Sequence, residues 1–189
     1  MQKYGEPDPR SAVDSLIASD RVPANAHPEL LTEDDIWNLL NEVKDPEVPA
    51  VSVVELGIVR AVRWDGKTVS VDVTPTYSGC PATELIEELI AEALRAAGIR
   101  DPQINQVLTP AWTTDWITPE GKEKLRVFGI APPQGSSSKL SLLGQSEVIA
   151  CPHCGSDHTE QVSEFGSTAC KALYRCKDCL EPFDYFKCI

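Results

Sequence analysis

The 189-residue chain carries 29 acidic side chains against 17 basic ones, which gives it a formal net charge of −12 at neutral pH. An acidic chain repels the phosphates of nucleic acids and anionic lipids, so its composition argues against both as partners and favours proteins or metals. No apolar run approaches the ~20 residues that a membrane span needs, and the N-terminus lacks the apolar core of a secretory signal. The sequence therefore predicts a cytoplasmic protein.

The chain is long enough for one ordinary domain with a small appendage, and its 42% hydrophobic content is sufficient for a packed core. Residues 1–29 are expected to form a disordered leader, because four prolines interrupt a stretch that is rich in alanine, aspartate and serine. The folded part should therefore begin near residue 30.

Residues 30–130 are expected to form a small α+β domain. Its first helix is predicted over residues 33–44, because Thr32 precedes apolar residues at helical spacing, as an N-cap would, and Asp45-Pro46 ends the pattern. A short strand over residues 51–54 is expected to follow.

A hairpin and a long helix come next. Strands are predicted over residues 58–64 and 67–74, and Asp65-Gly66 supplies the turn between them. An apolar stripe then predicts a helix that opens at Cys80-Pro81 and ends at Gly98.

The domain should close with a strand over residues 104–108 and a helix over residues 120–127 that is capped by Thr118. The predicted order is then α-β-β-α-β-α. Residues 131–146, which are rich in proline, glycine and serine, predict a linker to a separate module over residues 147–189.

The C-terminal module contains the strongest motif in the sequence. Two Cys-x-x-Cys pairs, Cys151 with Cys154 and Cys176 with Cys179, are separated by 21 residues. Each tight turn brings two thiolates to one ion, so the pairs predict a four-cysteine metal site in a zinc-ribbon-like β module. Structural zinc would supply folding free energy to a module with little core, although four thiolates also suit an iron-sulfur cluster. A nucleic-acid finger is disfavoured, because the module has four basic residues against seven acidic ones.

Two further cysteines, Cys170 and Cys188, flank the second pair on the two arms of the expected hairpin. They are either small buried hydrophobic residues or a thiol pair that can oxidise or hold a second metal. The odd total of seven cysteines and the absence of an export signal favour metal and thiol chemistry over a disulfide framework.

Cys80 is the one cysteine outside the C-terminal module. As the expected N-cap of a helix it would face free amide groups that favour the thiolate. Asp45 and Glu47 lie on a proline-rich turn, and Glu55 is a further carboxylate; together with Cys80 they would bind iron transiently. The alternative is a cysteine that only caps and packs, beside a solvated turn. No histidine is placed as a base and no phosphate loop is present, so no enzyme is expected.

Several segments resemble known families. The segments at residues 45–49, 52–59 and 74–81 resemble the MIP-type iron-sulfur assembly domain family, which also includes SufT. Residues 151–156 and 165–179 resemble the PaaD family of the phenylacetate degradation operon. Together the resemblance extends from residue 30 to the C-terminus.

The resemblance implies a non-catalytic accessory role in building or delivering iron centres, with Cys80 as the reactive ligand. It also implies partners: the di-iron monooxygenase that epoxidises the ring of phenylacetyl-CoA and the iron-sulfur flavoprotein reductase that serves it. One alternative is a stably bound component of the oxygenase complex that carries an iron-sulfur cluster in the ribbon and transfers electrons. A third hypothesis is an adaptor in which both cysteine sites are structural.

Overall fold

A computed structural model describes residues 31–77, 79–133 and 148–187. The predicted leader, most of the predicted linker and Cys188 lie outside these residues. The described elements, in chain order, are α1 (Glu33–Leu40), β1 (Val59–Trp64), β2 (Val69–Val73), α2 (Thr83–Ala96), β3 (Gln103–Gln106), a 3-10 turn (Thr114–Trp116), α3 (Pro119–Phe128), β4 (Ile130–Ala131), β5 (Thr159–Ser163), β6 (Lys171–Cys176) and β7 (Pro182–Phe186). None of the described helices is long and apolar enough to cross a membrane.

The N-terminal domain is built on a three-stranded sheet in the order β1-β2-β3. β1 and β2 form an antiparallel hairpin, whereas β3 returns parallel to β2 after α2 has crossed the sheet. The three valines of β2 are almost completely buried, as are Leu89, Ile90 and Leu94 of α2. The apolar stripe of α2 therefore packs with the sheet in one core.

The predicted order α-β-β-α-β-α and the α+β class are confirmed. The first helix is shorter than predicted, since it ends at Leu40 with Asn41 as its C-cap. The predicted strand over residues 51–54 is wrong, because this segment forms a turn with one isolated bridge. The Ser52 amide donates to the Glu55 carboxylate (2.9 Å) and the Ser52 hydroxyl accepts from the Glu55 amide (3.0 Å). These local bonds override the β propensity of the neighbouring valines.

The second sheet has the order β4-β7-β6-β5. β5, β6 and β7 form an antiparallel ribbon, and β4 pairs parallel with β7. β4 follows α3 directly and includes Ala131, the first residue of the predicted linker. The end of the N-terminal domain therefore contributes a strand to the sheet of the C-terminal module.

The two modules also share an apolar core. Phe186 of β7 is 1% exposed, and its ring lies 6.0 Å from the ring of Trp112, centroid to centroid, in a tilted arrangement. Trp112 is fixed in turn, because its indole N–H donates to the Leu56 carbonyl over 3.0 Å. Cys170 belongs to the same core. The ribbon is thus docked on the domain at the end where β6 begins and β7 ends.

Candidate metal centres

The four cysteines of the two Cys-x-x-Cys pairs converge at the far end of the ribbon. The sulfurs of Cys151 and Cys179 are 3.7 Å apart, those of Cys154 and Cys176 are 3.6 Å apart, and all four lie within 4.8 Å of one another. Among the described residues this is the only group of three or more histidine, cysteine or acidic side chains close enough to hold one ion.

The spacing of these sulfurs fits a single tetrahedral ion. A zinc-sulfur bond of about 2.3 Å sets the edge of a tetrahedral thiolate site at about 3.8 Å. A multi-iron cluster distributes its thiolates over separate irons and needs wider spacing between them. The backbone N–H of Cys179 lies 3.5 Å from the Cys176 sulfur and is the main cause that lowers the pKa of this thiol to about 6. The thiolate form of Cys176 is therefore favoured at neutral pH.

Backbone hydrogen bonds hold the two turns that carry these ligands. The Gly155 amide donates to the Cys151 carbonyl over 2.9 Å, and Gly155 adopts a positive φ of 77° that suits glycine. The Cys176 amide donates to the Glu181 carbonyl over 3.0 Å. His158 lies close to these turns but is not one of the four ligands. Its Nδ1 lies 3.2 Å from a carboxylate oxygen of Asp178, and its side chain is exposed.

Cys80 lies before α2 rather than at its N-cap. The helix begins at Thr83, its N-cap is Ala82, and no side chain caps it. The Cys80 amide donates to the Tyr77 carbonyl, and the Cys80 carbonyl accepts from the Thr83 amide, both over 3.2 Å. The predicted N-cap position is therefore wrong, because a turn around Pro81 separates the cysteine from the first helical residue.

The half-buried Cys80 lines a cavity of about 20 Å³ at the junction of the two modules. Asp45 and Glu47, which sequence reasoning grouped with Cys80, line the same cavity, and so does Cys170 of the ribbon. A volume of this size holds about one water molecule, so it also suits a single ion. Glu55 does not line this cavity; it is paired with Lys124.

Asp45 builds the turn that presents Glu47. One oxygen of the buried Asp45 carboxylate accepts from the amides of Glu47 (2.9 Å) and Val48 (2.8 Å). Burial of the carboxylate outweighs these two hydrogen bonds and raises the pKa of Asp45 to about 6. The aspartate therefore caps the turn but is buried, whereas the alternative interpretation from the sequence was a turn that this aspartate caps and that is solvated.

Cys170 was not assigned to the Cys80 site by sequence reasoning. Its side chain is 4% exposed, the Thr168 hydroxyl lies 3.0 Å from its sulfur, and its S–H donates to the Glu47 carboxylate over 3.8 Å. Burial is the main cause that raises the pKa of the Cys170 thiol to about 11. The only signal in the sequence was a cysteine left over from the four-cysteine motif. Because Cys188 lies outside the described residues, its pairing with Cys170 stays a prediction.

Two further residues, Tyr77 and Lys171, interact with residues that line the cavity. Desolvation is the main cause that raises the pKa of Tyr77 to about 12, with contributions from Cys80, Glu47 and Cys170. Lys171 is 4% exposed, and its ammonium group lies 3.5 Å from the Glu47 carbonyl oxygen. Its positive charge stabilises the anionic forms of Asp45 and Cys170. Sequence reasoning missed both, since neither belongs to a motif of metal ligands.

Comparison with known families defines the class of the molecule. Residues 33–105 match the family model described as iron-sulfur cluster assembly protein, and residues 135–187 match the one described as PaaD zinc beta ribbon domain. The N-terminal domain is therefore of the iron-sulfur assembly class, and the C-terminal module is a PaaD-type ribbon.

Individual relatives define the family more narrowly. The chain is 52% identical over 155 residues to an Escherichia coli (strain K12) protein that is provisionally named as a component of 1,2-phenylacetyl-CoA epoxidase, and the match covers 82% of this chain and 92% of that protein. The chain belongs to the same family as this protein, the PaaD family.

Two further similarities concern the N-terminal half. An Fe-S protein maturation auxiliary factor from Porphyromonas gingivalis is 34% identical over 99 residues, which are 51% of this chain and 92% of that protein. A solved domain of unknown function from Bacillus anthracis is 26% identical with a TM-score of 0.46, over 49% of this chain and 90% of that one.

Proposed function

We propose that the chain is a non-catalytic maturation factor for the iron centres, di-iron or iron-sulfur, of the phenylacetyl-CoA ring epoxidase in aerobic phenylacetate degradation. The observation that carries this proposal is the cavity that Cys80 and Glu47 both line. Thiolate and carboxylate oxygen are both ligands for divalent iron. The similarity to proteins named Fe-S maturation auxiliary factors supports the same role.

Iron at this site would be cargo rather than a resident cofactor. Cys80 is only half-buried, whereas the other candidate ligands are held by the turn that Asp45 caps and by the docked ribbon. A ligand of a client protein can therefore approach the ion from the Cys80 side and exchange with this thiol. We infer that iron is taken up transiently here and passed on.

We infer that the ribbon holds zinc and that this zinc is structural. Four thiolates complete the coordination of a tetrahedral ion and leave no position for a substrate. The 3.6 and 3.7 Å contacts between sulfurs favour this interpretation over an electron-transferring cluster at the same cysteines. The ribbon then serves to dock on the domain and to present residues near the cavity.

The partners that follow from this proposal are the subunits of the phenylacetyl-CoA monooxygenase and its reductase, encountered in the cytoplasm. The chain has 29 acidic residues and 17 basic ones, and its net negative charge favours proteins over nucleic acids as clients. The Escherichia coli relative carries the name of this epoxidase complex, which supports the same choice of client.

Co-expression with the epoxidase tests the proposal. The epoxidase subunits are produced with the wild-type chain, with the Cys80→Ser variant, or without the chain, and iron per purified epoxidase is measured together with its epoxidation of phenylacetyl-CoA. We expect Cys80→Ser to give the same low iron content and activity as omission of the chain, because the serine hydroxyl binds divalent iron far more weakly than a thiolate.

The control is the zinc content and circular dichroism of the Cys80→Ser variant, which should equal those of the wild type because Cys80 is remote from the ribbon ligands in the chain. Full iron loading of the epoxidase by the Cys80→Ser variant would rule out Cys80 as the working ligand.

A further inference from the structure

We propose that the exposed edge of β3 and the cleft at its end form a docking groove for an extended segment of the client protein. The segment would pair with the backbone of β3 as an additional strand and place one apolar side chain in the cleft. This inference rests on the proposed function, since it concerns how a client reaches the Cys80 cavity. It assigns a binding surface that lies outside both candidate metal centres.

The backbone of β3 is open on one side. β3 is the last strand of its sheet and pairs in parallel with β2. The Val107 amide, directly after β3, donates to the Val73 carbonyl over 2.7 Å and so points toward β2. Because backbone groups alternate in direction along a strand, the amides of Ile104, Gln106 and Leu108 point away from β2. Within the described part of the chain, no backbone carbonyl outside the sheet accepts from these three amides.

The edge of β3 also lacks the residues that keep an exposed strand from pairing. Edge strands are commonly protected by charged residues or proline, and β3 (Gln103–Gln106) contains neither. β1 is the opposite edge of this sheet and carries Arg60 and Arg63. The last amide of β1, that of Trp64, donates to the Glu33 carboxylate over 3.2 Å. Of the two edges, that of β3 is therefore the one suited to an added strand.

A cleft of about 300 Å³ lies where β2 and β3 end. It is lined by residues of the two segments that follow these strands: Thr74, Pro75, Thr76, Tyr77, Leu108, Ala111 and Trp112. Ligands of open sheets with parallel strands commonly bind outside the carboxyl ends of the strands. Leu108 is 59% exposed in this cleft, so an apolar side chain of the client that covers it would remove apolar surface from water.

The cleft adjoins the Cys80 cavity. Thr74, Pro75 and Thr76 line both of them, so the segment directly after β2 forms the wall between the two. A client segment that pairs along β3 and enters the cleft is therefore brought to the other side of this wall from Cys80. The groove would thus place a client next to the thiol that is proposed to pass on iron.

The size and charge of this surface favour a client over a second copy of the chain. β3 has four residues, so an added strand would pair over only about 13 Å, whereas stable interfaces bury about 1,200–2,000 Å². A second copy would also bring another net charge of −12 to the interface. A short, extended and apolar segment without acidic residues fits the groove, and a small contact suits a client that binds transiently.

Hydrogen-deuterium exchange of the full chain tests the groove. The zinc-loaded chain is measured alone and with iron-free epoxidase subunits, and exchange is followed in peptides that cover residues 103–108. We expect slower exchange at Gln106 and Leu108 with the epoxidase, because their amides then donate to the client. Unchanged exchange there would overturn the proposal. The same protection in the concentrated chain alone would also overturn it, because the edge would then pair with a second copy.

Two variants that act on different parts of the groove test it independently. Gln106→Pro removes an amide that points away from β2, and proline is tolerated on such an edge. Leu108→Lys places a charge in the cleft. Each should raise the dissociation constant for the iron-free epoxidase by at least about tenfold, as expected for a residue at the centre of an interface. Wild-type affinity of both variants would overturn the proposal.

Val127→Lys is the matched control for Leu108→Lys. Val127 is 72% exposed on α3 and does not line the cleft, so this variant should bind the epoxidase like the wild type. Circular dichroism and zinc content of all three variants should equal those of the wild type. Equal losses of affinity in Val127→Lys and Leu108→Lys would overturn the proposal, because the effect would then come from added charge and not from the cleft.

The co-expression assay distinguishes failure of this inference from failure of the proposed function. If Cys80→Ser abolishes iron loading of the epoxidase while Gln106→Pro and Leu108→Lys bind and load it normally, the maturation role stands and the docking groove is wrong. If Gln106→Pro and Leu108→Lys lose the epoxidase while Cys80→Ser loads it normally, the groove stands and the role of Cys80 in maturation is wrong.

Discussion

Replacement of Cys176 with serine is expected to unfold the C-terminal ribbon while the N-terminal domain stays folded. The free energy of zinc binding to small four-ligand modules is about 10–16 kcal/mol, and much of it is folding free energy. Cys176 is completely buried and is the last residue of β6, so loss of its thiolate removes a metal ligand at the end of this strand. Zinc content and limited proteolysis of the Cys176→Ser variant measure the effect.

The matched control is Cys170→Ser, which changes another buried cysteine of the ribbon that lies outside the four-cysteine group. We expect this variant to keep one zinc and the protease resistance of the ribbon. Retention of zinc and of a protected ribbon in Cys176→Ser would contradict a structural role for the four-cysteine site.

Replacement of Phe186 with alanine is expected to detach the ribbon from the domain. The Phe186 ring is 1% exposed, packs against Trp112 and lines the Cys80 cavity. Removal of a buried phenylalanine side chain costs about 3–5 kcal/mol. Because the ribbon keeps its own metal site, we expect a lower midpoint of urea unfolding with the zinc content unchanged.

Phe165→Ala is the matched control for Phe186→Ala. Phe165 is 60% exposed, and its ring lies beneath the ammonium group of Lys187 at the surface. The same truncation there should change stability by about 0.5 kcal/mol or less. Equal effects of the two substitutions would show that the contact between the modules contributes little to stability.

Local patterns were sufficient to predict most elements of the fold. The apolar stripe of α2, the Asp65-Gly66 turn and the threonine caps at Thr32 and Thr118 depend on neighbours within a few residues, and each lies where the sequence predicts it. The two Cys-x-x-Cys pairs are likewise local turns. Their convergence follows from the pairing of β5 with β6, which sets Thr159 opposite Cys176.

Other features depend on contacts that sequence periodicity does not report. The segment over residues 51–54 has the composition of a strand, but the mutual hydrogen bonds of Ser52 and Glu55 fold it into a turn. Cys80 was predicted as an N-cap because Pro81 suits the first position of a helix, yet Pro81 instead lies in the turn that precedes α2. In both cases side-chain or turn chemistry outweighs propensity.

The docking of the ribbon on the domain is the feature that the sequence predicts least well. Cys170 reaches the cavity because β4 pairs with β7 and because Phe186 packs on Trp112. These contacts join residues that are distant in sequence and lie on the two sides of the stretch over residues 134–147. A linker composition predicts neither attachment nor separation of the modules it joins.

Metal and acid-labile sulfide analysis of chain purified without oxygen, with a visible absorption spectrum, tests the central claim most directly. The claim is that the ribbon holds structural zinc and that the cavity lined by Cys80 and Glu47 takes up iron. It predicts one zinc per chain and no sulfide in both the wild type and the Cys80→Ser variant. When ferrous iron is added, only the wild type should retain it. Stoichiometric iron and sulfide with a charge-transfer band that survives Cys80→Ser would place a cluster in the ribbon and contradict the claim.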